Sequence, residues 1–191
     1  MIEHKINSLN NFVSGWYIDD VPLLDEIIEY HKNTPTKSAG TVGRGIDHST
    51  KKSTDCTLPM DDLGIRYIKH IDTISKLYYE KYHFCNQYAP WAITEPVRIQ
   101  HYKPSEAFYG WHCERTNGTN PIIAARHMVF MTYLNDVEDA GETEFYYQKL
   151  KIKPEKGLTL MWGVDWTFTH RGIPSPSQEK YILTGWYGYV E

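Results

Sequence analysis

The sequence predicts an α+β chain with a mainly β core: a helical first part, then a sandwich or open barrel of short strands. Three observations carry this. Two apolar stripes at helical spacing lie before residue 90, seven short strand-like runs follow residue 95, and turn signals rather than helices separate those runs. The 191 residues are expected to form one domain, with 1–90 mainly helical and 95–191 the β core.

The first helix is marked by Asp19-Asp20-Val21-Pro22, where a carboxylate can cap and a proline suits the first turn. Leu23, Leu24, Ile27 and Ile28 then recur on one face. A second helix is expected from about Asp61 to Tyr82, with Ile65, Ile68, Ile71, Ile74 and Tyr78 as its stripe. Residues 34–58 are rich in Thr, Ser, Gly and Lys and read as a loop, with a short strand near Ser53–Leu58. The later strands are expected at Val97–Tyr102, His127–Leu134, Glu142–Tyr147, Leu150–Lys153, Leu158–Trp162, Thr167–Arg171 and Lys180–Val190. Asn135-Asp136, Ala140-Gly141, Lys156-Gly157 and Pro174-Ser175-Pro176 punctuate them.

A net charge of -4 without a strong basic patch argues against nucleic acid as a partner. No apolar run approaches the roughly 20 residues that span a bilayer, so no membrane partner is expected. The start, MIEHKINSLNNF, lacks the pattern of a signal peptide. Cys56, Cys85 and Cys113 are odd in number and widely spaced, which suits free thiols in a reducing, cytoplasmic setting.

The chemistry concentrates in Trp111-His112-Cys113-Glu114. On an extended strand, residues i and i+2 share a face, so His112 and Glu114 can reach one metal ion while Cys113 points away. His170 lies in a later strand-like run. Two histidines and one carboxylate on one face of a metal leave three positions open, as in non-haem Fe(II) oxygenases. His70-Ile71-Asp72 offers the same spacing inside the second helix, where i and i+2 diverge by about 200°. Lys180 follows His170 across a Pro-Ser-Pro turn, and a hairpin there returns it beside the triad. Its compact charge can meet the far carboxylate of a metal-chelating 2-oxo diacid. Arg171 is a rival anchor, although it should face the other way from His170. Tyr109, Trp111 and Trp166 are candidates to line a substrate groove, and Arg126 to pair with an acidic loop residue.

These residues resemble the prolyl 4-hydroxylase-like branch of the 2-oxoglutarate oxygenases. The resemblance covers about 97–190 and runs through Gln100-His101-Tyr102, Tyr109-Gly110-Trp111-His112-Cys113-Glu114 and the stretch RHMVFMTYLNDVEDAGETEF of residues 126–145. It continues through Ile152-Lys153-Pro154, Gly157-Leu158, His170, Lys180 and Trp186. It implies a double-stranded β-helix, jelly-roll or cupin-like, with helices packed on one side. It further implies Fe(II) on His112, Glu114 and His170, and 2-oxoglutarate on Lys180 and Tyr102. Trp186 becomes a pocket wall, dioxygen a co-substrate and ascorbate a reductant. The implied reaction is hydroxylation of a prolyl residue in a peptide or protein, with a free amino acid or other small molecule as the alternative. Glu114 stands where the family usually carries Asp, the tyrosine-to-His112 spacing is one residue longer, and Ala140 replaces a glycine.

Overall fold

The structure is a computed structural model that describes residues 1–5, 11–43, 45–116 and 119–191. Arg44, inside the expected 34–58 loop, lies outside the described residues. Helix α1 spans Val21–Asn33; the Asp20 side chain accepts from the Leu23 amide and Pro22 sits in the first turn, so the start signals act as expected. Helix α2 spans Asp62–Lys81, capped by Asp61. Its buried face is Tyr67, Ile71, Ile74, Ser75 and Tyr78, a spacing of 4, 3, 1 and 3. The expected stripe is thus rotated: Ile65 is 48% exposed, and Tyr67 takes the core position instead. A tyrosine can do so because its hydroxyl finds a partner, bonding Thr132 Oγ1 at 2.8 Å, which in turn bonds Thr159 Oγ1 at 2.7 Å. A short helix, α3, covers Pro121–Ala124.

Among the described residues, 1–90 also carry four short strands besides the helices: β1 (Glu3–His4), β2 (Ser14–Tyr17), β3 (Ser38–Ala39) and β4 (Thr54–Thr57). Two to four residues are too few for a period-two pattern to stand out, and only β4 has a sequence signal. After them come β5 (Trp91–Ile93), β6 (Arg98–Tyr102), β7 (Arg126–Tyr133), β8 (Thr143–Phe145), β9 (Leu150–Ile152), β10 (Leu158–Gly163), β11 (His170–Gly172) and β12 (Lys180–Tyr189). The expected strand Thr167–Arg171 begins only at His170. Trp166–Phe168 is a 3-10 turn, closed by the Phe168 amide on Asp165 O.

The larger antiparallel sheet runs β1-β2-β10-β7-β12-β6-β4-β3, with β5 on the far end of β12; the smaller runs β11-β8-β9. The helices cover the outer face of the larger sheet, where Leu23, Leu24, Ile27, Tyr67, Ile71 and Ile74 meet Ile99, Phe130, Met161 and Leu183. A second core lies between the sheets, built from Val129, Tyr133, Phe145, Ile152, Leu160, Trp162 and Ile182. This squashed barrel with helices on one side is the double-stranded β-helix.

Alternation sorts the strands between the two cores. On β12, Tyr181, Leu183 and Tyr187 join the helix-side core, while Lys180, Ile182, Thr184 and Trp186 line an inner cavity. On β6, Ile99 faces the helices, and Arg98, Gln100 and Tyr102 face the cavity.

The turn glycine Gly157 locks β10 to its neighbours: its amide donates to Tyr133 O at 2.8 Å and its carbonyl accepts from the Ile18 amide at 2.9 Å. Its φ is +85°, and a Cβ there would stand 2.4 Å from Ile18 O. Left-handed backbone alone costs a non-glycine residue about 1–2 kcal/mol. Gly157→Ala should therefore lower unfolding free energy in urea by at least about 2 kcal/mol. Gly43→Ala, with φ +56° and nothing within 4 Å, should cost only the conformational part, about 1 kcal/mol. Equal losses at the two sites would contradict the role given to the Ile18 contact.

Candidate metal centre and its cavity

His112 belongs to no named strand, yet it extends the smaller sheet by one residue. Its amide donates to His170 O at 3.0 Å, and the His170 amide donates to His112 O at 2.8 Å. This reciprocal pair sets the two imidazoles side by side, ring centroids 4.3 Å apart. Two residues on, the Glu114 amide donates to Val164 O at 3.1 Å, so the Glu114 side chain returns to the same side. One ligand atom from each of His112, Glu114 and His170 lies within 4.8 Å of the others.

The tautomers suit a metal. His112 Nδ1 lies 3.0 Å from Gly110 O, and His170 Nδ1 lies 2.9 Å from Phe168 O. A carbonyl oxygen only accepts, so each Nδ1 carries the hydrogen and each Nε2 keeps its lone pair for the shared centre. Phe108 stacks on His112 at 3.6 Å, and the Trp162 ring meets His170 edge-on at 5.2 Å. Both imidazoles are thereby fixed in orientation.

Glu114 Oε1 lies 3.3 Å from His170 Nε2 and 3.7 Å from His112 Nε2. Burial pushes its carboxyl up, but with no metal bound, protons on the two facing Nε2 atoms would hydrogen-bond it and hold it well below the usual carboxylate range; a divalent ion would take the place of those protons. Burial, together with the neighbouring His170, pushes His112 down. An ionised carboxylate beside a neutral imidazole is the donor set that a divalent ion requires. The other carboxylate oxygen, Oε2, accepts from Trp186 Nε1 at 2.9 Å.

Lys180 is only 4% exposed. Its Nζ donates to Gly141 O at 2.7 Å and Ile173 O at 3.4 Å, and it sits 5.4 Å over the Tyr102 ring. Among the described residues no carboxylate forms an ion pair with it, and burial pushes it down to about 8 against the pull of Glu142. The triad, Lys180, Tyr102, Tyr133, Thr143 and Trp186 all line one cavity of about 380 Å³. The residues present therefore fit a metal ion at one place in this cavity and an anion at another. Arg171, the rival anchor, is already engaged: it donates to Glu144 Oε2 at 2.8 Å and lies 4.4 Å over Trp111.

Three of the four expected pocket aromatics stand elsewhere. Tyr109 donates its hydroxyl to Ser105 O, Trp111 packs edge-on against Tyr146, and Trp166 is 65% exposed against Tyr147. None of the three lines the cavity, whereas Trp186 does. Trp166 opens the 3-10 turn, which swings its indole outward. Two features of the wall had no sequence signal: Phe108 on His112, and the Lys51–Asp55 ion pair at 2.8 Å on the roof formed by β3, β4 and their loop. Arg126 does pair with an acidic residue, Glu95, at 2.6 and 2.7 Å.

The sequence pattern of the 2OG-Fe(II) oxygenase superfamily matches residues 97–188. A probable prolyl 4-hydroxylase 9 from Arabidopsis thaliana is 30% identical over 102 residues, covering 41% of this chain and 35% of that protein. The chain spans about a third of the length of the curated relatives it matches. A Pseudomonas putida prolyl-4-hydroxylase structure shares the fold with a TM-score of 0.73 at 15% identity, over 94% of each chain. So does a prolyl hydroxylase from Trichoplax adhaerens solved with a hypoxia inducible factor oxygen degradation domain peptide fragment. Its TM-score is 0.71 at 18% identity, over 94% of this chain and 84% of that one.

The Lys180 ammonium has a testable cost. Because burial lowers its folded pKa below the unfolded value, the penalty is fully present below pH 8, where both states are protonated. It disappears as pH rises from about 8 to 10.5, so wild-type stability gains over that interval. The gain is up to about 3 kcal/mol, at ~1.4 kcal/mol per pH unit. The difference in unfolding free energy between wild type and Lys180→Met, measured without metal, should shift in favour of wild type across that interval. A difference that stays flat with pH would mean that the ammonium is not held against its solvation.

Proposed function

We propose that this chain, whose residues 97–188 match the pattern of the 2OG-Fe(II) oxygenase superfamily, is a 2-oxoglutarate-dependent dioxygenase that hydroxylates a prolyl residue of a peptide or protein. The observation that carries the reading is the pairing, in one cavity, of the His112–Glu114–His170 cluster with the unpaired buried cation Lys180. In this reading the three residues hold Fe(II). Lys180 binds the distal carboxylate of 2-oxoglutarate, with the Tyr102 ring as a contact beside it. Bound Fe(II) would supply dioxygen activation with 2-oxoglutarate as co-substrate, and ascorbate would serve as reductant. The chain's own contribution is position and exclusion. His112 and His170 are tautomer-locked by Gly110 O and Phe168 O, and Phe108, Trp162 and Phe145 exclude water from their flanks.

The cavity's charges favour a peptidyl substrate over a free amino acid. Asp55 is paired with Lys51, Glu95 with Arg126, and Arg171 with Glu144. No carboxylate among the described lining residues other than ligand Glu114 is left for an ammonium group. A prolyl residue inside a chain presents no charge and needs none. The relatives carry prolyl 4-hydroxylase names, and the Trichoplax protein was solved with a peptide. No helix among the described residues is long and apolar enough to cross a membrane. The free thiols Cys56, Cys85 and Cys113 suit a reducing, cytoplasmic setting.

With Fe(II) and 2-oxoglutarate supplied, proline-containing peptides should gain the mass of one oxygen atom with stoichiometric succinate, and free L-proline should not. His112→Ala and His170→Ala should each abolish the gain while the far-ultraviolet circular dichroism stays that of the wild type. Oxygen incorporation on free proline alone, or on a residue other than proline, would falsify the substrate assignment.

A further inference from the structure

We propose that Trp186 is a positioning residue that makes Glu114 a one-oxygen ligand, a role that rests on the reading of His112, Glu114 and His170 as metal ligands. A carboxylate can bind a metal through one oxygen or two. Glutamate has one more methylene than aspartate and so about 1.5 Å more reach, enough to swing both oxygens inward. A second bound oxygen would occupy one of the three positions that a facial triad leaves open.

The two oxygens of Glu114 stand in different surroundings. Oε1 faces both histidine Nε2 atoms, at 3.3 and 3.7 Å. Oε2 is turned the other way, accepting the Trp186 Nε1–H at 2.9 Å and lying 3.7 Å from Arg126 Nη1. The indole that holds it is itself fixed. Trp186 is paired in register with Val129, and the Arg126 guanidinium lies 4.0 Å over its ring. Arg126 cannot easily move, because it forks onto both Glu95 oxygens and donates to Glu114 O at 2.7 Å. Rotating Oε2 toward the metal would break a charge-assisted hydrogen bond to a donor with nowhere else to turn. An aspartate on the same backbone is too short to meet Trp186 and the metal together. The longer ligand and its indole partner therefore work as a pair.

Co(II) binding to the purified, metal-free full chain tests this, because its visible bands respond to which donors surround the ion. In the otherwise unaltered chain, Trp186→Phe keeps the ring but removes the N–H. It should lower Co(II) affinity about tenfold, the scale of lost support to a metal ligand, and shift the visible bands. The same replacement in a Glu114→Asp background should change affinity less than about twofold. Equal losses in the two backgrounds, or no spectral change, would make Trp186 a packing residue and overturn the proposal. Glu114→Asp alone is an independent check that does not require Trp186→Phe to fold. It should weaken Co(II) binding, and unchanged or tighter binding would also overturn the proposal. Failure of the unaltered chain to bind Co(II) would instead remove the metal reading and this proposal with it.

Discussion

Every residue of β12 has to answer to two environments at once, and the rest of the molecule is arranged around that constraint. The strand lies between β6 and β7 in the larger sheet, with helices over one face and the cavity under the other. Side chains alternate across it from Lys180 to Tyr187, so Tyr181, Leu183 and Tyr187 seal the helix-side core while Lys180, Ile182, Thr184 and Trp186 furnish the cavity. A one-residue slip would exchange the two sets and put a lysine and a threonine into the apolar core. The register is held on both sides, with Lys180 opposite Tyr102 and Trp186 opposite Val129. Stability of the core and placement of the polar cavity groups are thus one specification.

Within that frame the polar interior is supported by backbone carbonyls more than by countercharges. The two histidines are oriented by Gly110 O and Phe168 O, and Lys180 by Gly141 O and Ile173 O. Carbonyls steer without neutralising. They leave the imidazole lone pairs and the ammonium charge available, at the expense of desolvating a cation. The charged pairs that are fully satisfied, Lys51–Asp55, Arg126–Glu95 and Arg171–Glu144, ring the cavity and shape it.

Legibility in the sequence followed the length of each pattern. Both long helices could be read because caps and periodicity agree, down to Asp20 and Pro22. Their rotation could not: nothing in the residue types says that Tyr67 goes inward and Ile65 outward, since Thr132, the hydrogen-bond partner of the Tyr67 hydroxyl, is 65 residues away in sequence. The strands from residue 97 on were legible except where the 3-10 turn at Trp166–Phe168 shortens β11, whereas β5, three residues long and paired only with β12, was not. The cluster of His112, Glu114 and His170 was legible from two-residue spacing plus family pattern, although His112 sits on an isolated bridge rather than in a long strand. Strands β1 to β3 were invisible, because four or fewer residues supported by partners more than ten positions away carry no local signature.

The cavity roof built from β3 and β4 has a consequence for how this protein can change. β3 is two residues long, lies at the sheet's edge and pairs only with β4, whereas His170 is buried, bonded through β11 to β8 and by a reciprocal backbone pair to His112. Local opening free energies run lowest at such edges. Substitutions at Ser38, Ala39, Thr41 or Val42 therefore alter the wall facing a substrate while barely touching the global unfolding equilibrium. The fold separates an inheritable chemistry from an adjustable selectivity. Variation can reshape the roof at little risk to the His112, Glu114 and His170 cluster beneath it.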